Sequence, residues 1–239
     1  MPAVIPRCLE SVNKPADPAE VEAANSVRSE YFYEGAPNPY MADITRAFRL
    51  AKGATVYIEV GTQDKGNIAW LSRNKLAPGA TIIDIDFAEY PKHDRKIMDE
   101  LTRRGFDYHP IRGDCLSAEV LNKVKQILGG READLIFCDS HYTYDHTIKE
   151  FGLYFPLVKN GGFLFFHDAQ WSGDPNGNWP EERKRGKGYA VAEIDQQYPA
   201  YAVFGPDTPL YRFRMPTSYP TYWGTLAIFP KGLHRCSIV

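Results

Sequence analysis

Glu59, Asp86, Asp114, Asp139 and the His167-Asp168 pair each stand at or just past the end of an apolar, β-branched run. An acid after a strand is commonly a turn former or a helix cap. Five such runs in succession, all ending in acids, instead suggest one rim built to bind hydroxyls, amino groups or a cation. Glu59 is the most telling. It lies in VYIEVGTQDKG (56–66), giving Glu-x-Gly-x-x-x-x-Gly with Gly61 and Gly66, not the three glycines that face a dinucleotide pyrophosphate. A carboxylate there repels diphosphate and attracts an amino group. The loop therefore suits S-adenosylmethionine (SAM), whose amino-acid end carries an ammonium, better than NAD. Asp86, 25 residues past Gly61, is expected to accept from both ribose hydroxyls, with Asp84 set aside as facing the other way. Asp114, in RGDCLS, either takes the adenine amino group beside the Cys115 amide or caps a helix starting near Ser117.

These residues need a framework that gathers strand ends. Segments 56–60, 81–87, 106–112, 133–139 and 163–168 read as strands. Helical patterns follow the first four, over 67–76, 92–104, 117–128 and 145–158, the third stopped by Gly129-Gly130. This alternation predicts an α/β, doubly wound, mostly parallel sheet covered on both faces. In such a sheet the carboxyl ends of the strands converge on one crevice. Segments 201–204 and 224–229 read as an antiparallel C-terminal pair, making seven strands. Residues 1–20 are expected as a surface arm and 20–28 and 42–51 as helices, so that 1–50 cover the site of a binding domain spanning 51–239. The aromatic loop 31–41 either packs on the domain or roofs the site, and 169–187 reads as a long, polar, lid-like loop.

Composition narrows the class. With 44% hydrophobic and 24% charged residues the chain can bury a substantial core, as soluble globular proteins do. A formal charge of −2 argues against a nucleic-acid partner. No apolar run approaches the ~20 residues that span a bilayer, and no signal peptide is expected at the N-terminus. Cys8, Cys115, Cys138 and Cys236 lie far apart without zinc or disulfide spacing, which predicts reduced thiols in the cytoplasm.

Five motifs occur in order: VYIEVGTQDKG, IIDID, RGDC, LIFCDSHYTYDHT and KNGGFLFFHD. Over about 55–170 the chain thereby resembles class I SAM-dependent methyltransferases. Within them it is similar to metal-dependent small-molecule O-methyltransferases, including macrolide-sugar O-methyltransferases and the relatives called cephalosporin hydroxylases. With the strand-end reading, the cofactor site is expected at Glu59, Gly61, Gly66, Asp86, Asp114, Cys115 and Asp139. The resemblance implies a divalent cation at Asp139, His167 and Asp168. Carboxylates suit Mg²⁺. His167 stands where the family has an acid, so either the imidazole turns preference toward Mn²⁺, Fe²⁺ or Zn²⁺, or His167 is structural. The family's Asp-x-x-His-x-Tyr is matched by Asp139 and Tyr144, but Tyr142 takes the histidine's place and His141 falls one residue early. His141, with an ordinary pKa of ~6.5, is the expected general base, with Tyr142 beside it, and His146 is expected as a solvated or capping residue.

Other chemistries are disfavoured. The Asn/Asp-Pro-Pro-aromatic motif of nucleobase amino-methyltransferases is missing after the fourth strand, and Asn38-Pro39-Tyr40 precedes the first. No Pro-Cys nucleophile or Gly-x-Ser-x-Gly elbow occurs. The run Arg183-Lys184-Arg185-Gly186-Lys187 reads as a solvated loop or, less readily, as a greeting for an anionic substrate, while Trp171 and Trp179 pack in the loop or stack on a ring. The expectation is methyl transfer from SAM to a hydroxyl of a sugar or polyhydroxylated natural product. A phenol or catechol acceptor is the alternative, and a non-catalytic SAM-binding scaffold the alternative of another class. A small hydroxylated acceptor is the expected partner, with no membrane partner, and the resemblance suggests homo-oligomers.

Overall fold

A computed structural model describes residues 5–31, 40–63, 65–171, 185–204, 206–213 and 226–232. Its strands are β1 (Val56–Val60), β2 (Thr81–Asp86), β3 (Asp107–Arg112), β4 (Ala133–Cys138), β5 (Val158–Phe166), β6 (Tyr201–Val203), β7 (Tyr211–Arg212) and β8 (Leu226–Pro230). Its helices are α1 (Glu10–Asn13), α2 (Pro18–Ser29), α3 (Met41–Ala47), α4 (Gly66–Asn74), α5 (Pro91–Arg103), α6 (Ala118–Leu128), α7 (Tyr144–Tyr154) and α8 (Lys187–Asp195). One sheet results, ordered β3-β2-β1-β4-β5-β8-β6-β7. β1 to β5 are parallel, and β8 is antiparallel to both β5 and β6.

The strand order reverses between β1 and β4, and that switch point opens the crevice where ligands of such sheets bind. All five residues of β1 are buried because helices cover both faces. Tyr57 faces the core built with α1 to α5, whereas Ile58 and Val60 face α6, α7 and α8. Local signals set the boundaries. Ser117 Oγ accepts from the Val120 amide at 3.2 Å to cap α6, and Gly129, at φ +57°, ends it.

Two expectations are corrected. The sheet has eight strands among the described residues, because two-residue β7 adds to the edge of β6, and a strand that short leaves no pattern to read. Residues 5–13 are not a surface arm. Leu9 and Val12 are fully buried, and fully buried Arg46 donates to the Val12 carbonyl from Nε at 3.2 Å and Nη2 at 3.0 Å. A buried guanidinium is tolerable when carbonyls replace its water. No helix among the described residues is long and apolar enough to cross a membrane. Trp179, Arg183, Lys184, Cys236 and most of segments 31–41, 169–187 and 205–223 lie outside the described residues.

Candidate active site

The turn after β1 explains its glycine by close approach. Gly61 has φ +84°, and a Cβ there would lie 2.5 Å from the Asp139 carbonyl oxygen. Only glycine lets the β1 and β4 loops touch in this way. The Asp139 amide in turn donates to the Val60 carbonyl at 2.8 Å, so Asp139 is carried directly beside the glycine loop. Gln63 and Lys65 also adopt positive φ, +43° and +66°. The Gln63 amide donates to Asp86 Oδ2 at 2.7 Å and the Ala88 amide to Oδ1 at 2.9 Å, which fixes the carboxylate while leaving lone pairs for a ligand. Lys65, fully buried, pairs with Asp84 at 3.2 Å and Asp94 at 3.5 Å. Asp84 and Asp86, two residues apart, share one side of β2, contrary to the expectation. Asp84 stays out of the cleft because it lies deeper, bonded to Thr62, Lys65 and Tyr108.

A cavity of about 200 Å³ opens at this switch point, lined by Gly61, Asp86, Phe87, Asp114, Cys115 and His141 among others. Phe87, 83% exposed, presents an aromatic face at its edge. Glu59, Gly66 and Asp139 are not among the lining residues. Glu59 is buried beneath the loop, accepting from Tyr57 Oη at 2.7 Å and Asn67 Nδ2 at 3.0 Å. Gly66 is the first residue of α4. Asp114 does not cap α6, since Ser117 does. Its Oδ1 accepts from the Leu116 amide at 2.9 Å, and its carboxylate stays on the rim.

Beside the cleft, donor atoms of Asp139, His167 and Asp168 lie within 4.8 Å of one another. His167 Nδ1 is 3.2 Å from Asp139 Oδ1 and 3.4 Å from Asp168 Oδ1. Asp168 has φ +53°, a conformation costing a non-glycine residue about 1 kcal/mol or more, so this turn is held by its surroundings. Burial alone would lower the His167 pKa, but the charge of Asp139 and bonds to both carboxylates overcome it and raise the pKa to about 10. Lys187 is no solvated loop residue. It is 1% exposed, and its Nζ donates to the His167 carbonyl at 2.9 Å. The two carboxylates suit Mg²⁺ or Mn²⁺, and the imidazole, which must first give up its proton to ligate, shifts the set toward Mn²⁺ or Fe²⁺.

The loop after β4 supplies the remaining groups. His141 stacks on Tyr142, with ring centroids 5.1 Å apart, and Tyr142 meets Trp171 edge-on at 6.1 Å. Trp171 thus packs within the protein. The Thr143 amide donates to His141 Nδ1 at 3.3 Å, which places the proton of the neutral ring on Nε2. His146 faces the cleft and is not a solvated helix residue. Its Nε2 is 3.0 Å from Ser140 Oγ and 3.5 Å from Cys115 Sγ, and burial lowers its pKa to about 4. Ser140 Oγ donates at 2.7 Å to Glu150 Oε1, a fully buried carboxyl whose pKa burial raises to about 7. Sequence reading missed Ser140, His146 and Glu150. The only signal was the four-residue spacing of His146 and Glu150, which puts both on one face of α7.

The strand order, the glycine turn at the switch point and the acid rim define the class I SAM-binding, Rossmann-like methyltransferase fold. The family model for "Rhamnosyl O-methyltransferase/CmcI" matches residues 51–208, and the chain belongs to that family. Among curated proteins it is similar to "Uncharacterized protein R132" of Acanthamoeba polyphaga mimivirus, 25% identical over 125 residues covering 51% of this chain and 56% of that one. The chain thus spans about half the length of this curated relative. Among solved structures it resembles the O-methyltransferase TomG of Streptomyces achromogenes, involved in tomaymycin synthesis and bound to SAM. The identity is 14%, covering 91% of this chain and 92% of that one, with a TM-score of 0.56. It also resembles an O-methyltransferase of Bacillus cereus in complex with SAH (16% identity, 90% and 92% covered, TM-score 0.55). A third is the MycE methyltransferase of mycinamycin biosynthesis, bound to Mg, SAH and mycinamycin VI (20% identity, 87% and 53% covered, TM-score 0.55). At these identities the likeness is one of fold.

Proposed function

We propose that this protein is a SAM-dependent, divalent-metal-assisted O-methyltransferase acting on a hydroxyl of a sugar or polyhydroxylated natural product. The observation that carries the reading is the abutment of Gly61 on the backbone of Asp139, which sets a nucleoside-sized cleft beside a carboxylate-imidazole centre. Family membership supports it, as do the Mg, SAH and mycinamycin VI bound by MycE. Gly61 and the turn after it receive the amino-acid end of SAM, with Glu59 acting at one remove as buried negative charge. Asp86 receives the ribose hydroxyls, and Asp114 with the Cys115 amide receives adenine. Asp139, His167 and Asp168 hold the cation, which when bound orients the acceptor and lowers its hydroxyl pKa. Tyr40 meets the His167 ring edge-on at 5.9 Å, which supports a covering role for the segment that carries it. The buried free thiols Cys115 and Cys138 suit a reducing compartment, and on that ground we assign the protein to the cytoplasm.

The sulfonium is already a good leaving group, so the chain must align oxygen, methyl carbon and sulfur and exclude water. The acceptor oxygen bonds to the methyl carbon while the carbon–sulfur bond breaks and its electrons stay on sulfur, giving the neutral thioether. His141 is assigned to take the hydroxyl proton, which leaves it as the imidazolium. Turnover measured with SAM over polyol and catechol panels, with and without EDTA, tests the reading. Methylation of a polyol that chelation abolishes is the expected result. Activity on catechols alone would transfer the site to phenolic acceptors, and turnover indifferent to EDTA would remove the metal. Saturable SAM binding without turnover on any acceptor would favour a scaffold.

A further inference from the structure

On the α6–α7 side of the cleft, three side chains from separate turns of the fold direct donor atoms at one another. Cys115 follows β3, and His146 and Glu150 share one face of α7. Their ligand atoms lie within 4.8 Å of one another. Cys115 Sγ is 3.5 Å from His146 Nε2. A tetrahedral zinc with Zn–S near 2.3 Å and Zn–N near 2.0–2.1 Å separates its sulfur and nitrogen by about 3.5 Å. Glu150 supplies an independent sign. It is 0% exposed, one oxygen accepts from Ser140, and Oε2 meets no nitrogen or oxygen donor among the described residues, the Cys138 thiol offering it at best a weak bond. A buried carboxylate oxygen left unmatched is costly, and a cation would satisfy it.

We propose that Cys115, His146 and Glu150 bind a thiophilic divalent cation of the Zn²⁺ type, separate from the oxygen-rich centre at Asp139, His167 and Asp168. Sulfur, nitrogen and oxygen give three protein ligands, and a fourth position is left toward the cleft that Cys115 and His146 line. His146 arrives neutral, the form that ligates. Near neutrality the thiol is otherwise protonated and the carboxyl about half so, so the cation displaces the Cys115 proton and any proton on Glu150 into solvent, and affinity rises with pH. This inference does not depend on what the cleft itself binds.

The test is titration of the metal-free full-length protein with Co²⁺ as a spectroscopic stand-in. The expected result is a thiolate-to-cobalt charge-transfer band that saturates at one equivalent and is bleached by Zn²⁺. Cys115→Ser should lose the band, and His146→Gln should weaken cobalt binding at least about tenfold. Asp139→Asn/Asp168→Asn should keep the band, as should Cys8→Ser and Cys236→Ser. Should Cys115→Ser not fold by circular dichroism, the His146→Gln shift decides. No thiolate band at stoichiometric cobalt, or a band that survives Cys115→Ser, would overturn the proposal. So would loss of the band in the Cys8 or Cys236 variant, or unchanged affinity in His146→Gln.

Discussion

Gly61 and Glu150 show how single positions carry the site. Gly61→Ala forces a β-carbon against the Asp139 backbone at a positive φ that already costs an L-residue about 1–2 kcal/mol. We expect it to push the β1 and β4 loops apart, lower stability by at least about 2 kcal/mol and weaken SAH binding by at least about tenfold, read by denaturant melts and calorimetry. Glu150 behaves differently. Its pKa is raised from 4.5 to about 7. Below the unfolded value both states hold the proton. As pH rises from 4.5 through about 7 the unfolded chain releases it first, so stability is lost, by up to about 3 kcal/mol. In metal-free protein Glu150→Gln should remove that loss. Urea denaturation should show the variant gaining on wild type near pH 8 but not near pH 4, whereas equal gains at both would contradict the assignment. The rim acids were legible because strand ends in a parallel sheet converge. The pairing of His146 with Cys115 was not, because 31 residues separate them and only the fold closes that distance.

At the scale of elements, the helices of one face are tied by a single carboxylate. Glu100 on α5 accepts from Arg73 of α4 at 2.7 Å and from Tyr31, just past α2, at 2.6 Å. Arg73 holds its pKa down, to about 2. That stabilisation is present above the unfolded value of 4.5 and is lost as pH falls through about 2, so acid unfolding should begin on this face. Arg73→Ala should cost about 2 kcal/mol near neutrality and flatten the acid limb of the stability profile, followed by urea melts. The alternation of strands and helices was readable from periodicity and glycine stops. The docking of 5–13 was not, because its two buried apolar residues are too few for a pattern and the tie is made by arginines to backbone carbonyls.

At the scale of the whole molecule, the sheet places on one rim a cleft at the β1/β4 reversal and a carboxylate-imidazole cluster beyond β4 and β5. Topology was predictable because the connections leave few alternatives, whereas the acceptor is not coded in motifs of this kind. The proposal that both ligands share this rim is tested most directly by nuclear relaxation of SAM carrying a ¹³C-labelled methyl group, bound to the protein loaded with paramagnetic Mn²⁺. Strong relaxation of the methyl carbon is expected in the wild type, and its loss in Asp139→Asn/Asp168→Asn with SAM still bound. Manganese binding that leaves the methyl carbon unaffected would contradict it.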